Sequence, residues 1–176
     1  MNKTDLKFSI ITPTFNEEKD IRGTLEAFLS FSYPNKEIII VDDSTDRTPE
    51  IITEYENRGV RLIRGKREGC CGAVNLGFEK STGDILIYAD ADARPPKDFL
   101  ERLAEKYENG ADWVLPDSRV PNTDKLWSRF VGALHVQEHE GRSDMYYAEA
   151  LSVRRELAIK LGMFGPNYPA RFCRDW

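Results

Sequence analysis

The most informative stretch of this chain is Gly83-Asp-Ile-Leu-Ile-Tyr-Ala-Asp-Ala-Asp92. Residues 84–89 are mainly apolar, which is typical of a strand buried on both faces of a sheet. Asp90 and Asp92 follow directly, so the end of this strand places both carboxylates beside the same ligand. Carboxylate oxygens are the ligands that Mg²⁺ and Mn²⁺ prefer, usually together with substrate phosphates. The stretch therefore predicts a ligand site, whereas an isolated acidic pair is more often a surface turn.

Further buried strands precede this one, and each is followed by a segment with helical signals. They are predicted at residues 8–12, 37–41 and 60–64. Asn16 is expected to cap the helix after the first strand, and Thr48-Pro49 to open the next helix, which ends at Gly59. Repeated alternation of strand and helix implies right-handed crossovers. We therefore expect an α/β fold with a mostly parallel sheet and helices on both faces.

The irregular span 117–124 separates a regular first part of the chain from a more varied second part, and the chain shows no internal repeat, low-complexity segment or convincing linker. The patterns predict helices at residues 96–109, 126–140 and 154–161, and strands at 112–115 and 148–153. A length of 176 residues suits one domain with a substantial core.

Composition narrows the class of protein. A net charge of −5 argues against a nucleic-acid surface, which is normally basic. No apolar run approaches the roughly 20 residues that a membrane span needs, and the first residues lack a signal-peptide core. The cysteines at positions 70, 71 and 173 are odd in number and poorly spaced for disulfides or zinc. We expect a reducing, cytoplasmic setting and no nucleic-acid partner.

Polar residues follow each of the first four predicted strands. They are Pro13, Thr14, Asn16 and Glu17 after the first, Asp42, Asp43 and Ser44 after the second, Arg67, Gly69 and Asn75 after the third, and Asp90 and Asp92 after the fourth. Ligands of open parallel sheets bind outside the carboxyl ends of the strands. These residues are therefore expected to form one shared site.

Two of these motifs are weak by themselves. A carboxylate of Asp42-Asp43 could accept the imide N–H of uracil or the ring N–H of guanine, or it could open an Asx turn. The spacing of Gly65, Gly69 and Gly72 fits neither the P-loop nor the dinucleotide fingerprint, which favours a role in turn geometry.

His135-Val-Gln-Glu-His139 matches an inverted zinc-protease pattern. We interpret it as a helix face, because no third ligand is apparent and the other site residues lie elsewhere. These histidines are the only ones in the chain, so a Ser-His-Asp triad is not easily drawn either.

Three stretches together closely resemble the family 2 glycosyltransferases: Ser9-Ile-Ile-Thr-Pro-Thr-Phe-Asn-Glu-Glu18, Tyr33-Pro-Asn-Lys-Glu-Ile-Ile-Ile-Val-Asp-Asp-Ser-Thr-Asp46, and the stretch ending at Asp92. The resemblance covers essentially the whole chain, and residues 149–164 are similar to that family's acceptor-side strand and helix. It implies one GT-A domain, in which residues 1–116 bind the nucleotide sugar and 117–176 face the acceptor. It also implies inverting transfer from a nucleoside-diphosphate sugar, UDP- or GDP-linked, to a saccharide, a polyprenyl phosphate or a protein.

The resemblance assigns roles position by position. Pro13, Thr14 and Glu17 would line the base and ribose pocket, and Asp42 or Asp43 would read the base. Asp90 would contact the ribose or a metal-bound water, and Asp92 would be the main protein ligand to Mn²⁺ or Mg²⁺ on the donor diphosphate. Arg67, Gly69 and Asn75 are expected in the nucleotide-sugar site as well.

The end of the chain carries the expected catalytic base. Arg174-Asp175-Trp176 falls where the family has an acidic residue before an aromatic one, so Asp175 would take the proton from the acceptor hydroxyl. Relatives continue with a further helix and often membrane segments. We therefore expect a truncated sequence whose missing C-terminal region could associate with the cytoplasmic face of a membrane.

Other classes fit the motifs less well. A sugar-phosphate nucleotidyltransferase usually has a glycine-rich, basic loop after its first strand, and residues 12–16 contain no Gly, Arg or Lys. A receiver domain needs an Asp after its third strand, where this chain has Ile63-Arg64-Gly65. An inactive nucleotide-sugar-binding domain remains an alternative to the enzyme.

Overall fold

The structure is a computed structural model that describes residues 6–116 and 150–163. Its strands are β1 (Phe8–Thr14), β2 (Lys36–Asp42), β3 (Val60–Arg64), β4 (Ile85–Ala89), β5 (Trp113–Val114) and β6 (Ala150–Arg154). Its helices are α1 (Ile21–Leu29), α2 (Thr48–Thr53), α3 (Gly69–Lys80), α4 (Phe99–Glu108) and α5 (Arg155–Lys160), with a 3-10 turn at Glu56–Arg58. The helix predicted at 126–140, the two histidines and Asp175 lie outside the described residues.

The strands form one sheet in the order β3-β2-β1-β4-β6-β5. The first four are parallel, and β6 runs antiparallel to both β4 and β5. The prediction of a mostly parallel sheet is therefore confirmed. The chain builds outward from β1 through β2 to β3 and then returns to the other side of β1 for β4. This reversal of direction creates a crevice at the carboxyl ends of β1 and β4, where such sheets bind ligands.

Apolar residues alternate between the two faces of the sheet, as the period of a strand requires. Ile10 and Ile40 belong to the cluster that packs under α1, α2 and α4, whereas Ile11 and Ile39 belong to the cluster under α3 and α5. Gly77 in α3 lies directly against the sheet, because a Cβ there would overlap the side chain of Ile11. Helices thus cover both faces, as expected.

Two helix boundaries differ from the sequence expectation. The helix α1 begins after Asp20, not after Asn16, and no side chain caps it. The helix α2 ends at Thr53, and Gly59, in the left-handed region with φ 94°, closes the 3-10 turn after it. Asn16 is instead bonded to the loop that follows β2, so a distant set of N–H donors outcompetes the local helix end.

Adjacent arginines attach β6 and α5 to the rest of the sheet. Arg154 donates to the carbonyl of Tyr107 at 2.6 Å and to that of Ala111 at 2.9 Å, at the end of α4. Arg155 donates to the carbonyls of Phe78 and Gly83 and so attaches α5 to the end of α3. Each cation lies at a helix C-terminus, where the macrodipole favours positive charge.

Candidate functional site

The carboxyl ends of β1, β2 and β4 bring together the polar residues that we call the carboxyl-edge cluster: Thr14, Asp42, Asp43, Asp90 and Asp92. Thr14 and Asp42 are register partners on neighbouring strands. The pairing of β1 with β4, continued past its last paired residues, places Asp90 beside Pro13. Three separate segments of sequence therefore meet at one edge of the sheet.

Asp42 is fully buried, and both of its carboxylate oxygens have protein partners. Thr14 Oγ1 donates to Oδ1 at 2.9 Å and the Ser44 N–H donates to the same oxygen at 3.3 Å. Arg64, its register partner on β3, forms an ion pair with Oδ2. Because each of its oxygens is already bonded, Asp42 holds the strand ends together and leaves little capacity for a ligand.

Asp43 is different, although it is almost as deeply buried, with 4% exposure. Its Oδ1 accepts the backbone N–H of Arg67 at 3.1 Å, but its Oδ2 is buried without a hydrogen-bond partner. A buried hydrogen-bond acceptor without a partner destabilises the folded state. A ligand that donates a hydrogen bond to this oxygen would therefore bind favourably here.

The turn after β3 lies directly against this carboxylate. A Cβ on Gly65 would lie 2.5 Å from Asp43 Oδ1 and 2.6 Å from Oδ2, so only glycine fits here. Arg67 and Gly69 both have positive φ, 57° and 74°, which a tight turn requires. These observations fit the turn-forming interpretation of the glycine-rich loop.

The loop after β1 is bonded to the loop after β2. Asn16 Oδ1 accepts the backbone N–H of Thr45 at 2.9 Å, and its own N–H donates to Ser44 Oγ at 2.8 Å. The N–H of Glu17 donates to Thr48 Oγ1 at 2.8 Å. Glu17 is therefore held at the same edge as Asp43 through its backbone. Pro13 is buried at the end of β1, and Asn75 lies half-buried in α3, which packs on β1 and β2.

Asp90 and Asp92 follow β4 with contrasting surroundings. Asp90 is half-buried and accepts a hydrogen bond from the hydroxyl of Tyr88, two residues earlier on the same strand. Burial, and then the neighbouring Asp90 carboxylate, raise the pKa of Tyr88 well above its usual range, so its hydroxyl stays a donor at neutral pH. Asp92 is exposed, and the buried Ala91 separates the two carboxylates.

This donor set fits a metal ion that is shared with a ligand. Within the described ranges, no group of three or more His, Cys, Asp or Glu side chains is placed to hold a metal by itself. Asp92 and Asp90 supply hard oxygen ligands, and Mg²⁺ characteristically takes only one or two protein carboxylates, with phosphates and waters completing the shell.

The sequence patterns did not single out Tyr88 or Arg64 as parts of this edge. Tyr88 and Asp90 are two apart on one strand and so share a face, which is a signal that the sequence contains. Arg64 ends β3 just as Asp42 ends β2, but only the register shows that the two are neighbours.

The fold is that of the GT-A glycosyltransferases, as a solved relative shows. The mannosyltransferase PcManGT from Pyrobaculum calidifontis, in complex with GDP-Man and Mn²⁺, matches with a TM-score of 0.72 and 26% identity over 92% of this chain and 48% of that one. The chain belongs to glycosyl transferase family 2, whose profile matches residues 9–157. Both the expected family and the expected fold class are confirmed.

Curated relatives agree with the family. The glycosyltransferase AglE of Haloferax volcanii is 32% identical over 91% of this chain and 56% of its own length. The dolichol-phosphate mannosyltransferase of Pyrococcus furiosus is 35% identical over 62% of this chain and 32% of its own length. The chain thus spans about a third to a half of the relatives it matches. In the part of the chain that the structure describes, each helix is too short or too polar to cross a membrane.

Proposed function

We propose that this chain transfers a sugar, with inversion and with the help of Mn²⁺ or Mg²⁺, from a nucleoside-diphosphate sugar to an acceptor oxygen. The observation that carries the proposal is the meeting, at one sheet edge, of Asp90 and Asp92 with the unpartnered oxygen of Asp43. The carboxylate of Asp43 suits the N–H of a nucleotide base, and the carboxylates of Asp90 and Asp92 suit a metal ion on the diphosphate.

Asp43, rather than Asp42, is the proposed base-reading residue. Both oxygens of Asp42 are bonded within the protein, whereas Asp43 Oδ2 lacks a partner. One free oxygen matches the single imide N–H of uracil better than the two adjacent N–H donors of guanine, so UDP is expected to bind more tightly than GDP. Because Gly65 lies against this carboxylate, the turn at 65–67 has to move aside to admit a base.

Asp92 is proposed as the main metal ligand, with Asp90 held beside it by Tyr88. A divalent ion bound there supplies charge stabilisation for the departing diphosphate. Pro13, Thr14 and Glu17 would line the base and ribose pocket, and Arg67, Gly69 and Asn75 would flank it on the α3 side. Residues 1–116 would bind the donor, and 117–176 would face the acceptor.

The acceptor would attack the anomeric carbon as the nucleoside diphosphate leaves, and Asp175 would take the proton from the attacking hydroxyl. A polyprenyl phosphate is the acceptor class we favour, because the Pyrococcus relative is a dolichol-phosphate mannosyltransferase. A phosphate acceptor carries no proton to remove at neutral pH. Asp175 would therefore matter more for saccharide or protein acceptors.

Thermal unfolding of the 176-residue chain with UDP, GDP, dTDP and CMP, each with and without Mn²⁺, tests this proposal. A ligand at 100 times its dissociation constant adds about 2.7 kcal/mol, which raises the Tm of a domain this size by roughly 5–10 °C. We expect a metal-dependent shift with UDP that Asp92→Asn abolishes.

The matched control is Glu79→Gln, which removes one negative charge from an exposed site in the last turn of α3, at the opposite edge of the sheet. Its shift should equal that of the wild type. If no nucleotide shifts the Tm in the wild type, the donor-site proposal is wrong for this chain. A shift without transfer to any acceptor would favour a nucleotide-sugar-binding domain instead.

A further inference from the structure

We propose that Thr24 and Arg94 position the backbone between Asp90 and Asp92, and that Gly23 leaves the space in which Arg94 makes this contact. The inference rests on the proposed function, since it assigns positioning residues to residues 90–94, the segment that carries the proposed metal ligands and that we call the metal-binding loop. None of the three residues belongs to the carboxyl-edge cluster, and two of them lie in α1.

Thr24 lies fully buried in α1, facing the loop that follows β4. Its hydroxyl donates to the carbonyl of Ala91, the residue between the two aspartates, and accepts a hydrogen bond from the guanidinium of Arg94. Sixty-seven residues separate Thr24 from Ala91 in the chain. A single hydroxyl therefore joins the helix to the backbone that carries both carboxylates.

Arg94 extends the contact on both sides of Thr24. One of its terminal nitrogens donates to the carbonyl of Asp20 at 2.9 Å, and the other donates to the carbonyl of Ala93 at 3.0 Å. The Asp20 carboxylate lies 3.9 Å away as an ion-pair partner. The guanidinium thus bonds the start of α1 and the metal-binding loop at the same time.

Gly23 supplies the space in which the guanidinium lies. A Cβ at this position would be 2.7 Å from Arg94 Nη2 and 3.0 Å from Cζ, so the guanidinium would have to shift from its present place. Gly23 is absent from the glycines with positive φ, so close approach explains it better than backbone freedom does. Glycine is a poor helix former, and its presence inside α1 fits a requirement for this packing.

The consequence concerns metal binding. The carbonyl of Ala91 has a fixed partner, so the peptide unit that joins Ala91 to Asp92 cannot rotate freely. The carbonyl of Asp90, in the preceding peptide unit, accepts the N–H of Ala93 at 3.1 Å. Mg²⁺ demands near-ideal geometry, with ligand distances of about 2.0–2.1 Å. A site that is loose by even a fraction of an ångström loses much of its function, so support from behind the ligands matters.

The test compares Gly23→Ala, Thr24→Val and Thr24→Ser with the wild type, using the full chain. Thr24→Val keeps the shape but loses the hydroxyl, whereas Thr24→Ser keeps the hydroxyl. The first readout is hydrogen exchange of residues 90–94 without ligand. The second is the dissociation constant for Mn²⁺ with saturating UDP, from the electron paramagnetic resonance of free Mn²⁺. Ligand-free Tm reports overall stability.

We expect faster exchange at residues 90–94 and about tenfold weaker Mn²⁺ binding in Gly23→Ala and Thr24→Val, with Thr24→Ser close to the wild type. The Tm of Gly23→Ala should change little, because better helix propensity offsets the lost contact. Unchanged exchange in both disrupted variants, or unchanged Mn²⁺ affinity despite faster exchange, would overturn the inference. If the wild type binds no nucleotide, the proposed function fails, and the exchange data alone still decide whether the contact anchors the loop.

Discussion

The two ends of the parallel strands contrast sharply, although both bury polar groups. At the amino ends, Lys7, Ser9, Glu37, Thr82 and Gly83 form what we call the amino-edge network. At the carboxyl ends lies the carboxyl-edge cluster of Thr14, Asp42, Asp43, Asp90 and Asp92.

In the amino-edge network, the polar groups are hydrogen-bonded to one another. Ser9 Oγ donates to Glu37 Oε1 at 2.5 Å and accepts the N–H of Gly83 at 2.8 Å. The same glutamate oxygen accepts the N–H of Thr82 at 2.6 Å. Burial alone would raise the pKa of Glu37, but the hydrogen bonds from Ser9 and Thr82 outweigh it and hold that pKa below its usual range.

The carboxyl-edge cluster is only half closed. Asp42 is fully bonded, whereas Asp43 Oδ2 has no partner and Asp92 is exposed. Since buried polar groups in folded proteins are nearly always paired, a cluster left partly unpaired is where a ligand is expected. Polar burial alone therefore does not indicate a site, and what distinguishes the carboxyl edge is that the unpaired oxygen of Asp43 lies at the same edge as the exposed Asp92.

The largest stability effect is expected at the amino end of β4, from Arg155→Met. Arg155 donates to the carbonyl of Gly83 at 2.6 Å and to Ser81 Oγ at 2.7 Å, and its cation lies at the end of α3. Losing these charge-assisted bonds should lower the free energy of unfolding by about 2–3 kcal/mol, measured by urea denaturation. Nucleotide affinity of the folded fraction should stay the same. A change in affinity as large as the change in stability would erase the contrast between the two edges.

At the carboxyl edge, Asp43→Asn should lower nucleotide affinity without lowering stability. We expect nucleotide affinity to fall about tenfold, or about 1.4 kcal/mol, because an amide offers a poorer acceptor to the base N–H. Ligand-free stability should be unchanged or slightly higher, since a buried charge with an unpartnered oxygen is removed. Calorimetric titration with UDP and Mn²⁺, together with urea denaturation, measures both. Asp42→Asn is the comparison: it should lose stability, because Arg64 loses its charged partner.

The smallest expected effect is a pH-dependent loss of stability in the variant Glu37→Gln. The folded-state pKa of Glu37 is lowered, so its stabilisation is full above the unfolded value and is lost as pH falls through the folded pKa. Glu37→Gln should therefore cost about 1 kcal/mol at pH 7 and almost nothing well below pH 4.5, the ordinary glutamate value. Urea denaturation across this range checks it, with Glu79→Gln as the control. An equal cost at every pH would mean that the charge of Glu37 plays no part.

The element types and the edge of the site were predictable from sequence because both depend on local pattern. Buried apolar runs identified β1 to β4, and their order placed Asp90 and Asp92 at the same edge of the sheet as Asp43. The prediction that Asn16 caps α1 was wrong, and the cause is the set of N–H groups that lies around its side chain. A short polar side chain bonds whichever N–H groups the fold brings near, and here these belong to Thr45 and Asp46.

The alternation of strands and helices, the family and the candidate acidic residues all follow from periodicity and motif order, which need no knowledge of distant contacts. The packing of the strands determines which aspartate of the Asp42-Asp43 pair is already bonded, because Arg64 reaches Asp42 through strand register alone. The tertiary structure also determines that Gly23 accommodates Arg94 across a gap of about seventy residues. Contacts at such separation follow from packing, where one side chain's hydrogen bond depends on the positions of several elements at once.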